Sequence, residues 1–176
     1  MIFTETVLAG ACVIDLDPHR DERGFFARAW CGREFAEHGL ETRIAQCDLS
    51  RTLRRGTLRG LHFQRPPYAE VKVVRCIAGA VFDVIVDLRP QSPTFTRHIS
   101  VELSAENHRA LYVPAGFAHG FQALTDDVEL FYQMSEYYVP DAGGGVRWND
   151  PAFGIAWPIA DPFMNDRDRT YPDFVP

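Results

Sequence analysis

The stretch VKVVRCIAGAVFDVIVDLRP (Val71 to Pro90) constrains the fold more than any other. Two β-branched runs flank an Ala-Gly-Ala, which predicts two strands joined by a tight reversal, a β-hairpin. LRGLHFQ comes before it, and HISVEL, ALYVP, HGFQAL and VELFYQM follow at short spacing with turn residues between them. Many short strands at such spacing predict an all-β sandwich or barrel. Helical pattern is confined to GREFAEHGL (Gly32 to Leu40), read as one helix ending at Gly39. SAENHRA reads as one turn. The last third, rich in Pro, Gly and Asp, reads as loops with one short helix. DAGGGVRW (Asp141 to Trp148) reads as a flexible turn, because it does not join a strand to a helix as a phosphate loop would. No repeat or linker divides the chain, so residues 1–176 are expected to form one domain.

Composition narrows the function. A net charge of −6 argues against a protein that coats nucleic acid, but leaves room for a local basic pocket that takes a phosphorylated small molecule. Cys12, Cys31, Cys47 and Cys76 are scattered without a CxxC pair, so no disulfide scaffold is predicted. There is no charged-then-apolar leader and no apolar run near ~18 residues. The chain reads as reduced, cytoplasmic and without a membrane segment.

Three polar residues stand in strands where Val or Ile is the ordinary choice: His62 in GLHFQ, Lys72 in EVKVV and Tyr132 in ELFYQM. Side chains alternate faces along a strand, so Lys72 shares a face with Val74 and Cys76, and Tyr132 with Leu130 and Met134. An apolar face carrying one ionisable group fits a barrel lined as a ligand cavity. Each residue also has an ordinary structural reading: a satisfied core histidine, a lysine guarding an edge, a core tyrosine. Spacing argues against a metal. His62 is followed two positions on by Gln64, and His119 is distant, which leaves a poor ligand set. No nucleophile elbow, Walker loop or dinucleotide fingerprint occurs. Arg23, Arg59 and Arg75 lie near aromatic residues and offer guanidinium forks for an anion. Arg59 and His62 are three apart, so a regular strand would send them to opposite faces. If both serve one site, Gly60 should mark a bulge or bend; otherwise one of them faces a site shared with a partner subunit.

Taken together, DERGFF (21–26), LRGLHFQ (58–64), the 71–95 stretch, LSAEN (103–107), VPAGFAHGF (113–121), YYVP (137–140) and WNDPAFGIAWP (148–158) resemble the dTDP-4-dehydrorhamnose 3,5-epimerase family, in family order over almost the whole chain. The resemblance implies a cupin-like jelly-roll β-barrel with one or two short helices. It implies a homodimer that uses no metal and no organic cofactor, and a nucleotide-diphosphate 4-keto sugar as substrate. The C4 ketone of such a sugar acidifies its C3 and C5 hydrogens. One is removed to give an enolate, and a proton returns on the opposite face.

In that scheme His62 matches the base and Asp168, in MNDRD, the carboxylate that orients it. Lys72 matches the cation beside the enolate oxygen, and Tyr132 the acid on the other face. Asp83 and His119 match a supporting pair at the cavity. Arg23 and Arg59 match diphosphate contacts, and Phe26 packs on the base. Gln46, Asp48, Arg28 and Tyr138 fall at nucleotide-contacting positions. Two of these depart from the family: Arg28 stands in GFFAR where a base-reading Glu is usual, and Asp48 in QCDLS where Asn is usual. A guanidinium donates where a carboxylate accepts, so the nucleotide contacts are more altered than the acid–base set. The rival readings are epimerisation at C3 or C5 alone, another nucleotide sugar such as a GDP-linked heptose, a binding protein without turnover, and a metal-dependent cupin.

Overall fold

The computed structural model describes residues 1–175. In chain order it contains β1 (Ile2–Glu5), β2 (Cys12–Asp15), β3 (His19–Asp21), β4 (Gly24–Phe26), α1 (Gly32–Glu37), β5 (Gln46–Thr52), β6 (Leu58–Gln64), β7 (Lys72–Ala78), β8 (Ala80–Asp87), β9 (His98–Ser104), β10 (Ala110–Val113), β11 (Phe117–Ala123), β12 (Val128–Met134), β13 (Gly143–Gly145) and α2 (Asp166–Arg169). One sheet has the order β1-β2-β10-β7-β12-β5 and faces a second of order β13-β6-β11-β8-β9, while β3 and β4 form a separate hairpin. From β5 to β12 the chain passes between the two sheets at every step except β8 to β9. This is the jelly-roll barrel implied by the resemblance.

The two runs around Gly79 are strands, but they are not a hairpin. β7 bonds to β10 and β12, whereas β8 bonds to β11 and β9. A hairpin needs a loop of about two residues at least. The single Gly79, at φ +71°, turns the chain from one sheet to the other. β8 is buried on both faces, so its run VFDVIVD is β-branched and aromatic apart from two aspartates, Asp83 and Asp87, which are themselves buried. Val81 and Ile85 belong to the core between the sheets, and Val84 and Val86 pack with Phe153 of the C-terminal segment.

The other expectations divide in the same way. The helix stops earlier than Gly39, at Glu37. It lays Phe35 on the outer face of the six-stranded sheet against Ile14 and Tyr112, and Gly39 takes φ +68° just beyond its end. SAENHRA is a turn and not a helix. DAGGGVRW is not a flexible turn. After one 3-10 turn, Gly143–Gly145 adds a strand to the edge of β6, and a Cβ on Gly145 would collide with the Tyr171 ring. Glycine is needed there for close approach, not mobility. No helix among the described residues is long and apolar enough to cross a membrane.

One buried network pins the N-terminal loop to the barrel. Asp87 is fully buried and accepts from Arg89 Nε at 2.8 Å, Arg89 Nη2 at 2.7 Å and Thr94 Oγ1 at 2.7 Å. Arg89 Nη2 also donates to the Ala9 carbonyl at 2.8 Å, and its guanidinium lies 4.6 Å over the Phe117 ring. Burial alone would raise the Asp87 carboxyl, but these donors together hold it far below the usual range. A carboxylate depressed in the folded state contributes stability above its unfolded value near ~4, and loses it as pH falls through the folded value. Asp87→Asn is therefore expected to cost about 2–4 kcal/mol at neutral pH. It should also flatten the acid limb of the stability curve. Denaturant titrations of both proteins from neutral to acid pH check this, and parallel curves would refute it.

Candidate active site

The site begins with an irregularity in β6. In its pairing with β11, His62 lies opposite His119 and Arg59 opposite Phe121, so two residues of β6 face one of β11. The extra residue sits at Gly60, at φ +126°, where a Cβ would stand 2.6 Å from Gly120 Cα and 2.9 Å from the His119 carbonyl oxygen. Two glycines thus let the backbones touch. The added residue brings Arg59 and His62 to the same side, and both line one cavity of about 280 Å³. Lys72, Tyr132, His119, Asp48 and Ser50 line it as well.

α2 supplies the group that orients His62. The segment before it is tied to β6 by the bond from Leu58 N to the Phe163 carbonyl at 2.9 Å. Asn165 then caps α2 by accepting from Asp168 N at 2.7 Å. This drives the Asp168 carboxylate, almost wholly buried, beneath the bulge. Oδ2 accepts from Gly60 N at 3.0 Å, and Oδ1 lies 2.8 Å from His62 Nε2. Burial would raise the Asp168 carboxyl, but His62 and the Gly60 N–H outweigh it and hold the group below the usual range. A carboxylate fixed in this way selects the His62 tautomer protonated at Nε2, which leaves the lone pair on Nδ1.

The remaining groups face each other across the cavity. Tyr132 enters from β12, its ring edge-on to His119 at 6.1 Å. Burial, reinforced by the Asp83 charge, pushes the Tyr132 hydroxyl well up, so it stays protonated at neutral pH and can donate. His119 Nε2 lies 3.0 and 2.9 Å from the two oxygens of Asp83, and both residues are buried. Burial raises the Asp83 carboxyl, against the opposing pull of His119 and Lys72. Lys72 enters from β7, with Nζ 3.0 Å from Glu70 Oε1 and 3.5 Å from the His62 carbonyl oxygen. Arg59 reaches toward β5, donating to Thr52 Oγ1 and the Arg51 carbonyl, each at 3.1 Å. Although the chain is acidic, two cations stand at this cavity, as an anionic ligand requires.

A second lobe of about 220 Å³ shares His62, Lys72 and Met134 with the first and adds Glu70, Tyr138 and Arg167. Gln46 links the rim: its side chain donates to Asp48 Oδ2 at 2.8 Å and accepts from Tyr138 N at 2.9 Å. Of the residues singled out in the sequence, Arg23, Phe26 and Arg28 are not at the barrel cavity of this chain. Arg23 and the 76 % exposed Phe26 line a hollow of the β3–β4 hairpin, and Arg28 pairs with Glu34 at 2.9 Å. Arg75 is also outside: its Nη2 donates to the Ala29 carbonyl at 3.3 Å, away from the cavity lining. The contact of Glu70 with Lys72 was not among the sequence expectations. Glu70 lies in the loop just before β7, so the alternation of faces along the strand gave no signal for it. Among the described residues, no three His, Cys, Asp or Glu side chains converge to hold a metal ion.

Residues 5–175 match the family described as dTDP-4-dehydrorhamnose 3,5-epimerase. The dTDP-4-dehydrorhamnose 3,5-epimerase of Salmonella typhimurium is 41% identical over 174 residues, covering 98% of this chain and 94% of the relative. Among solved structures, the Bacillus anthracis dTDP-4-dehydrorhamnose 3,5-epimerase with TDP and PPi bound superposes with a TM-score of 0.95 at 40% identity, covering 98% of this chain and 99% of that one. A 3'-monoepimerase from Streptomyces bikiniensis in complex with dTDP-quinovose gives a TM-score of 0.88 at 36% identity, covering 96% and 85%.

Proposed function

The chain belongs to the dTDP-4-dehydrorhamnose 3,5-epimerase family, and from that premise we infer how its cavity works. The protein is an isomerase that epimerises a nucleotide-linked 4-keto-6-deoxy sugar at C3 and C5, of the dTDP-4-keto-6-deoxyglucose type. The observation that carries the reading is the His62–Asp168 dyad, a fixed imidazole base at the wall of a cavity holding Lys72 and Tyr132. His62 removes the proton next to the ketone, and Asp168 stabilises the imidazolium that forms. The Lys72 ammonium faces the oxygen on which charge develops. Tyr132, kept protonated by burial, returns a proton from the opposite face. His119, paired with Asp83, packs edge-on against the Tyr132 ring and supports it. Arg59 takes the diphosphate, and Gln46, Asp48 and Tyr138 meet the nucleotide. Loss of deuterium exchange at C3 and C5 of the substrate in D₂O, from folded protein, would refute the reading. It would leave a binding protein in its place.

Tyr132→Phe separates removal of the proton from its return. The variant is expected to keep exchange with retention while net inversion falls about 10²-fold or more. Proton NMR of the product distinguishes retained from inverted centres, and unchanged inversion would remove Tyr132 as the acid. The monoepimerase relative makes a single reacting centre the specific competitor, which the same spectra decide by showing exchange at C3 alone.

On our reading the protein acts in the cytoplasm as a homodimer. The exposed Phe26 and Arg23, on a hairpin outside the barrel sheets, support an arm that reaches a second copy. Sedimentation is expected to give a dimer, and a stable monomer with full activity would overturn this. On the nucleotide side, Arg28 and Asp48 replace the usual base-contacting types. Comparing the binding of dTDP, UDP, GDP and CDP shows what the altered set prefers.

A further inference from the structure

Glu70 is buried, with its side chain 5% exposed, and is unusual in how it is satisfied. Oε1 lies 3.0 Å from Lys72 Nζ, while Oε2 is buried with no hydrogen-bond partner among the described residues. A buried carboxylate with one partner is costly, and an apolar residue would pack there at lower cost. The Lys72 ammonium sits on a flexible four-carbon stem, and its other protein contact is long, 3.5 Å to the His62 carbonyl. Lys72 stands where the two lobes of the cavity meet. Tyr132 and His119 line only the first lobe, and Glu70 only the second. The other buried carboxylate whose charge feels Lys72 is Asp83, already held through both oxygens by His119. Glu70 is therefore the anion that decides where the ammonium rests.

We propose that Glu70 is a positioning residue: it holds the Lys72 ammonium at the boundary of the two lobes, leaving an N–H for the enolate oxygen formed when His62 removes the substrate proton. One of the three N–H groups goes to Glu70 and a second faces the His62 carbonyl. The third is free to follow the charge as it develops. This rests on the reading of Lys72 given above, and it goes beyond that reading by assigning the group that aims the lysine.

The test is a double-mutant cycle on the full-length protein, with exchange at C3 of dTDP-4-keto-6-deoxyglucose in D₂O as the readout. Glu70→Gln is nearly isosteric and removes only the charge. It is expected to lower kcat roughly tenfold, a part of what losing a whole oxyanion donor costs, while KM stays within about threefold. Lys72→Met should lower kcat further. In the Lys72→Met background, Glu70→Gln should have no added effect, because the group it aims is gone. A residue needed only for folding would cost the same in both backgrounds and lower the melting temperature. The proposal falls if Glu70→Gln keeps wild-type kcat, or if the two losses multiply. Wild-type protein run beside the variants separates the two levels. If it shows no exchange, the reading of the reaction fails and the proposal with it. If it exchanges and Glu70→Gln matches it, only the role of Glu70 fails.

Discussion

Replacing His62 by asparagine is expected to lower deuterium incorporation at both C3 and C5 by about 10²–10⁴-fold, with the fold intact. The imidazole is half-buried at the cavity wall, and its one protein hydrogen bond among the described residues is to Asp168, so the smaller asparagine opens space only onto the existing cavity and keeps an N–H donor. What it removes is the imidazole nitrogen that the dyad leaves free at the cavity wall. Loss at both centres is the informative outcome. A single base that serves C3 and C5 in turn must fail at both, whereas loss at one would assign a second base to the other. Asp168→Asn is the companion. It preserves shape but offers the imidazole an amide in place of a carboxylate, so the imidazolium loses its counter-charge and the tautomer is no longer fixed. Its effect should approach that of the His62 change without exceeding it in the double variant, because the two residues act as one unit. Unimpaired exchange by His62→Asn would remove His62 as the base.

The second large effect is structural. Gly60→Ala is expected to destabilise the protein by about 3–4 kcal/mol. In a chain of this size that lowers the melting temperature by about 10 °C. Two causes combine: a φ of +126° that side chains disfavour, and a Cβ placed 2.6 Å from the Gly120 Cα. Gly24 separates them. It has φ +132°, yet a Cβ there meets nothing within 4 Å. Gly24→Ala should cost only the backbone term, about 1 kcal/mol. If both variants melt together, close approach of β6 and β11 is not what demands Gly60. Any folded Gly60→Ala protein should also lose activity, because the strain is relieved by straightening the bulge. That rotates His62 away from Arg59 and releases the Gly60 N–H from Asp168.

These two experiments divide the protein along the line that separates local from non-local information. Strand positions were legible because β-branched runs and period-two alternation are short-range signals, and Lys72 and Tyr132 do point inward with the core residues named beside them. A bulge at Gly60 followed from parity once Arg59 and His62 were taken to serve one site: three residues apart, they cannot share a face unless the strand takes one more residue. Pairing was not legible in this way. The run around Gly79 looked like a hairpin, and DAGGGVRW like a flexible turn, because strand partners and the ring that excludes a Cβ lie far away in the chain.

The sequence by itself pointed to an all-β fold, to ionisable groups on inward strand faces and, if Arg59 and His62 serve one site, to a break of register beside that histidine, since each depends on neighbours within a few residues. The residue types alone did not pair His62 with Asp168, 106 positions away; the family resemblance implied that pair, and the tertiary structure shows how it is made, from a helix of four residues capped by Asn165. Only it decided that a buried glutamate holds the lysine. Hydrogen bonds and ion pairs form between groups that folding brings within about 3 Å. No periodicity along the chain records which distant groups those will be.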